Sequence, residues 1–237
     1  MANEFTLFSD AFFLEAERHA AWGAAQLRAL TSFLPEGSWA ADLETCRYQQ
    51  GGPQGEVELR VGLLGSFDTD ELTWMWGWAH PGLQGTEVVA LTGALARYGR
   101  VYGIPELTLP VLDLSGLADP RHAAELLAFV GMGVADAPGY IGVPAGPGSQ
   151  VYFLPDDPRV PRPALDPITL PRHLIDGASL IGHAPREVVT GYFDHHGAPW
   201  ETAADGRIVA ELPDGSAAEV EFDELGRIAG VRATARP

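Results

Sequence analysis

Thr73-Trp74-Met75-Trp76-Gly77-Trp78-Ala79-His80, preceded by Leu63-Leu64-Gly65-Ser66-Phe67, is the stretch on which the reading of this chain turns. Three of the six tryptophans fall within five residues, spaced by two. In a β-strand that spacing sends Trp74, Trp76 and Trp78 to one face, with successive indoles roughly 6.5 to 7 Å apart. Such a ladder is either the heart of a core or the wall of an aromatic binding groove. Each large aromatic buries about 150–250 Å², so three on one face suffice to anchor a domain.

Upstream, Val57, Leu59, Val61 and Leu63 alternate with Glu56, Glu58 and Arg60, the pattern of a half-buried strand. Asp68 to Glu71 reads as a turn and Leu72 to His80 as the returning strand. Pairing Phe67 with Leu72 sets Gly65 opposite Trp74, Leu63 opposite Trp76 and Val61 opposite Trp78. Every apolar residue then shares one face, and Gly65 leaves space for an indole beside it.

Working outward, Phe12, Ala16, Ala20, Leu27 and Leu30 recur at helical spacing behind Ser9 or Asp10 as cap, predicting a helix over 10–33. Residues 38–48 read as a strand and Gln49-Gln50-Gly51-Gly52-Pro53 as a loop. Downstream lie a helix from Thr86 to about Tyr102 and a second opened by Asp119 and Pro120. A strand near 150–154 closes this unit. Six prolines between 155 and 171 make an extended connector. The domains are therefore residues 1–155, a linker at 156–171, and residues 172–237. In the last piece a helix over 185–196 precedes three turns, Ala204-Asp205-Gly206, Pro213-Asp214-Gly215 and Glu224-Leu225-Gly226. Each fits a three-residue hairpin loop with its glycine in the left-handed region. That loop length predicts the pairs Thr202–Ile208, Ala210–Ala218, Ile208–Val220 and Phe222–Ile228. The fold class is α+β: an antiparallel sheet with a tryptophan-rich hairpin packed by helices, plus a small helix and a four-stranded antiparallel meander.

Composition bounds the function. The chain has 237 residues, 46% of them hydrophobic, and a formal net charge of −17. All fifteen basic residues are arginine, a bias of GC-rich bacterial genomes. So negative a surface repels phosphate backbones and anionic lipid, which disfavours nucleic-acid and membrane roles and suits a basic protein partner. A single cysteine, Cys46, fits a reducing compartment. With no secretory signal at Met1 to Phe8 and no apolar run near 18 residues, the expectation is a cytoplasmic bacterial protein.

The combination Leu64-Gly65-Ser66, a short acidic turn and Thr73-Trp74-Met75-Trp76-Gly77-Trp78-Ala79-His80 resembles an uncharacterised bacterial family, a domain of unknown function. Its pattern is Leu-Gly-Ser followed by Thr-Trp-x-Trp-x-Trp-Ala-Asn. Trp39-x-x-Asp42 and Tyr98-Gly99 fit it as well. The resemblance spans about residues 10–155 and departs at His80, where the family carries Asn. It implies a fold unit and no catalytic residues.

If the aromatic face is open, Trp74, Trp76, Trp78 and His80 are its ligand-binding residues, with Ser66 and Asp42 converging nearby. His80 would then serve as ligand or base. Asp194-His195-His196 is a poor metal site, because neighbouring helical residues point about 100° apart. Ser66 lacks a nucleophile-elbow context. The glycines of 142–148 lack the lysine of a phosphate loop, and no cofactor is implied. The favoured reading is a non-enzymatic protein-binding protein, of which an immunity or inhibitor protein holding a basic toxin is one form. The alternative is a small-molecule-binding protein or enzyme using Trp74, Trp76, Trp78 and His80.

Overall fold

A serine cap opens the first helix. Ser9 Oγ accepts the Phe12 N–H at 3.2 Å, and α1 runs Asp10–Phe33. The computed structural model describes residues 8–53 and 55–234; the expectation for the first seven residues lies outside them. Contacts divide the chain into two units, one of residues 8–12 and 27–161, the other of residues 13–26 and 162–234. The middle of α1 thus belongs with the C-terminal residues, a grouping the sequence reading did not make. The other division falls within the proline-rich stretch.

The first unit is built on seven antiparallel strands: β1 Ser38–Asp42, β2 Arg47–Gly52, β3 Gly55–Asp68, β4 Thr73–Trp76, β5 Val111–Asp113, β6 Ile141–Gly146 and β7 Ser149–Pro155. They follow the order β1-β2-β3-β4-β5, with β7 against β3 and β6 against β7. The 14-residue β3 pairs with β2 over its first half and with β7 over its second. Two expectations need correction here. The strand foreseen over 38–48 breaks at Asp42, whose carboxylate accepts from Glu44 N, Thr45 N and Thr45 Oγ1 and so fixes a turn. The segment foreseen as a loop, Gln49 to Gly52, is the second half of β2.

The tryptophan hairpin forms with a register shifted by two residues from the expected one. Phe67 faces Trp74, Gly65 faces Trp76 and Asp68 faces Thr73. Asp68 Oδ1 accepts from Asp70 N and Glu71 N, which organises a longer loop, and Leu72 takes a positive φ of 53°. An even shift keeps every side chain on its face. The strand ends at Trp76, and Gly77–Ala79 turn into a 3-10 helix. A side chain at Gly77 would lie 2.1 Å from the Leu63 carbonyl oxygen, so the chain passes too close to β3 for anything but glycine.

The helix expected from Thr86 splits into a 3-10 turn at Glu87–Val89 and α2, Gly93–Tyr102. α3, Pro120–Val134, starts as predicted, with Asp119 Oδ1 accepting the His122 N–H at 2.9 Å. Tyr48, Leu59, Val61, Leu63, Val88 and Phe153 form the core beside β3.

In the second unit, α4 (Leu170–Ala178) and α5 (Pro185–His195) pack on residues 13–26 of α1. Gly177 and Gly191 sit where a Cβ would be 2.4 Å from the Ala21 Cα and 2.1 Å from the Arg18 carbonyl oxygen. The meander follows: β8 Trp200–Thr202, β9 Ile208–Glu211, β10 Ala217–Phe222 and β11 Ile228–Thr234, in the order β11-β10-β9-β8. All four predicted pairs are present: Thr202–Ile208, Ala210–Ala218, Ile208–Val220 and Phe222–Ile228. Gly206, Gly215 and Gly226 take φ of 87°, 81° and 75°. The chain is an α+β protein, as its sequence implied.

Candidate functional site

The aromatic strand supplies core, and its two faces explain why. Trp74 and Trp76 are each 0% exposed, with ring centroids 5.2 Å apart in an edge-to-face pair at 80°. Such a pair adds roughly 0.5–1.5 kcal/mol to the area it buries. Gly65 makes room on β3: a Cβ there would lie 2.6 Å from Trp74 Cζ2. From α3, Gly131 lets the helix backbone come down on Trp76, where a Cβ would lie 3.0 Å from Cζ3. Trp76 Nε1 donates to the Glu106 carbonyl oxygen at 2.8 Å. These two indoles offer no face to solvent.

The other residues of the proposed constellation are dispersed. Trp78 leaves the strand in the 3-10 turn and His80 follows it. Ser66 pairs with Met75, on the opposite side of the sheet from Phe67 and Trp74. Asp42 is spent on its own turn at another hairpin, and those hydrogen bonds, Thr45's hydroxyl first, hold its carboxyl below the usual range. Trp74 Nε1, Trp78 Nε1 and His80 Nδ1 are buried with no hydrogen-bond partner among the described residues. Cys46 is buried, which raises its thiol pKa and works against a thiolate.

A polar cluster that the sequence reading missed lies in the second unit. Glu17 is 1% exposed, and its Oε1 accepts from His183 N at 2.7 Å and Ala184 N at 3.1 Å. It caps α5, whose N-terminus has no side-chain cap of its own. Two residues on, His19 Nδ1 and His195 Nε2 share a hydrogen bond of 2.8 Å, and Glu15 Oε1 lies 3.0 Å from His19 Nε2. The His195 ring stacks on Trp22, with centroids 4.0 Å apart and planes 5° apart. Burial, then the neighbouring His19 and His196, push the His195 pKa down to about 3. Burial, then His173, push His196 down to about 4. Asp194 instead accepts from Trp200 Nε1 at 2.8 Å, so the Asp194-His195-His196 run points to separate partners. Charged and polar residues inside the helical pattern of α1 were the available signal.

On the surface several arginines are held by neighbouring acids. Arg60 Nη2 lies 2.7 Å from Glu87, Arg159 2.6 Å from Asp157 and Arg227 2.7 Å from Asp223. Arg47 pairs with Glu58, Arg207 with Glu219 and Arg232 with Glu221. Arg159 lowers the Asp157 pKa to about 2. Shallow, open depressions lie on both sheets. One is lined by Ser38, Trp39, Ala40, Gln49, Glu56 and the glycines Gly51, Gly52 and Gly55, whose missing side chains leave it shallow between those neighbours. The other, on the meander, includes Glu201 and Glu211.

The two units and their surfaces define an acidic α+β protein whose tryptophan hairpin is internal. Its sequence matches the family of unknown function DUF6882 over residues 6–158, more than half of the chain, and the protein belongs to that family. No curated protein and no solved structure matches it. No helix among the described residues is long and apolar enough to cross a membrane.

Proposed function

We propose that this is a non-enzymatic binding protein whose partner is a basic protein, an immunity or inhibitor protein being one form. The observation that carries the reading is the local use of its arginines. Each one paired to an adjacent acid exerts little field of its own, so the excess carboxylates of a chain with net charge −17 dominate the surface potential. Such a field accelerates capture of a cationic partner and is screened by salt. The test is affinity for a decapeptide of alternating arginine and threonine at 20 and 300 mM sodium chloride. At least tenfold weaker binding at the higher salt, with no binding of the glutamate–threonine counterpart, supports the reading. Equal affinity for both peptides, or no salt dependence, contradicts it.

A second reading, a small polar ligand held by Trp78 and His80, is favoured by one observation: Nε1 of the first and Nδ1 of the second are buried without partners among the described residues. Its test is a small-molecule thermal-shift screen in which a hit stabilises the wild-type protein and not His80→Ala.

A further inference from the structure

We propose that the free edge of β1 is a strand-addition site for an extended, basic segment of the partner. This rests on the reading just given and states how the partner is held. β1 pairs with β2 along all five of its residues, in unbroken antiparallel register, and with no other strand among the described residues. A strand bonded on one side presents a row of unpaired backbone N–H and C=O groups on the other. Ser38, Ala40, Ala41 and Asp42 are exposed.

Native sheets blunt such edges by shortness, proline, bulges or basic side chains. The other edge strands here carry those devices. β5 and β8 are three residues long and follow Pro110 and Pro199. β6 contains Pro144 and a register break next to it. β11 carries Arg232 and Gly230 and meets a register shift at Glu221/Phe222. Ser38-Trp39-Ala40-Ala41-Asp42 has no proline, no basic residue and no irregularity. It is the undefended edge among the described strands.

Charge selects the occupant. A second copy would bring another net charge of −17 to the same edge, so self-pairing is opposed. A basic strand is favoured instead, since exposed Glu36 and Glu44 flank β1 in the chain and exposed Glu56 lies across Gly51 from Ser38 on the same sheet. The register Ser38–Gly51–Glu56 continues across the sheet. Beside β1 the glycine-floored depression gives an outward-pointing arginine of the added strand somewhere to lie, with Glu56 within its lining. Backbone bonds supply affinity in this mode, and alternate side chains supply selectivity.

The experiment uses the full chain and the arginine–threonine decapeptide in three forms: unmodified, N-methylated on the arginines, and N-methylated on the threonines. Only one of the two alternating N–H sets can face β1, so one methylated peptide binds at least tenfold more weakly than the parent. The other stays within about twofold. Amide hydrogen exchange slows across residues 38–42 on addition of the parent. If both methylated peptides bind as the parent does, strand addition is overturned while the charge reading stands. Failure of the parent to bind at 20 mM salt overturns both.

Discussion

The tryptophan hairpin and the C-terminal meander are both antiparallel turns-and-strands, yet the sequence read them with different success. In the meander each loop ends on a glycine with φ between 75° and 87°. The aspartates at the loops accept from the following backbone: Asp205 from Arg207 N, Asp214 from Ser216 N, and Asp223 from Leu225 N and Arg227 N. Those signals are local and fix loop length, and loop length fixes register. In the tryptophan hairpin the left-handed position is filled by Leu72, a residue that rarely adopts φ of 53°. Nothing in its identity announces the position. The face was legible there and the register was not.

Substitutions break or sharpen this contrast. The largest effect is expected at Trp76→Ala, which empties a fully buried site and strands the Glu106 carbonyl. A loss of about 3–5 kcal/mol should appear in the urea midpoint. Trp200→Ala, at a residue 38% exposed on the meander, should cost far less. Next comes Glu17→Ala, which removes a buried acceptor from two backbone donors of the α5 N-terminus. It should cost about 2–3 kcal/mol. Glu17→Gln should recover part of that loss by keeping an acceptor oxygen in place.

Acid should separate the two units. His195 and His196 have folded-state pKa values of about 3 and about 4, below the ordinary value of about 6.5. Both are neutral in the fold and protonate on unfolding, so their contribution is intact above pH 6.5. It is lost as pH falls toward 4 and then 3, at no more than about 1.4 kcal/mol per pH unit for each group. The facing groups are His19 and Glu15 from α1, Arg162, and His173 from α4. Denaturation midpoints between pH 7 and 4.5 should show the fall, and hydrogen exchange should place it in residues 13–26 and 162–234. A midpoint flat across that range would contradict it.

The smallest effects lie in the turns. Gly215→Ala places a side chain at φ 81° and should cost about 1–2 kcal/mol. Leu72→Gly relieves φ of 53° but gives up a half-buried side chain and adds chain entropy, so it should shift stability by less than about 1 kcal/mol, well below the loss at Gly215→Ala. Thermal melts of the two single variants test the pair together.

Much of the architecture was therefore legible: the 10–33 helix from its cap, α3 from Asp119-Pro120, the meander from its glycines. Residues whose roles depend on distant chain were not. Glu17, His19 and Trp22 look like irregularities in an amphipathic helix, because their partners lie more than 160 residues away. Alternation puts Trp78 on the strand, because it does not reveal that Gly77 must pass against Leu63. The candidate site was the least legible part. Three alternating tryptophans suggest a ligand, whereas here Trp74 and Trp76 are spent on packing.

One measurement bears on the whole account: an NMR titration of the isotope-labelled protein with the arginine–threonine decapeptide, following backbone amides and indole N–H groups together. Shifts concentrated at residues 38–42, with the Trp74 and Trp76 indoles unmoved and slow to exchange, are what buried indoles and an open β1 edge predict. Indole signals of Trp74 and Trp76 that exchange rapidly or move with the peptide, while residues 38–42 stay still, would contradict it.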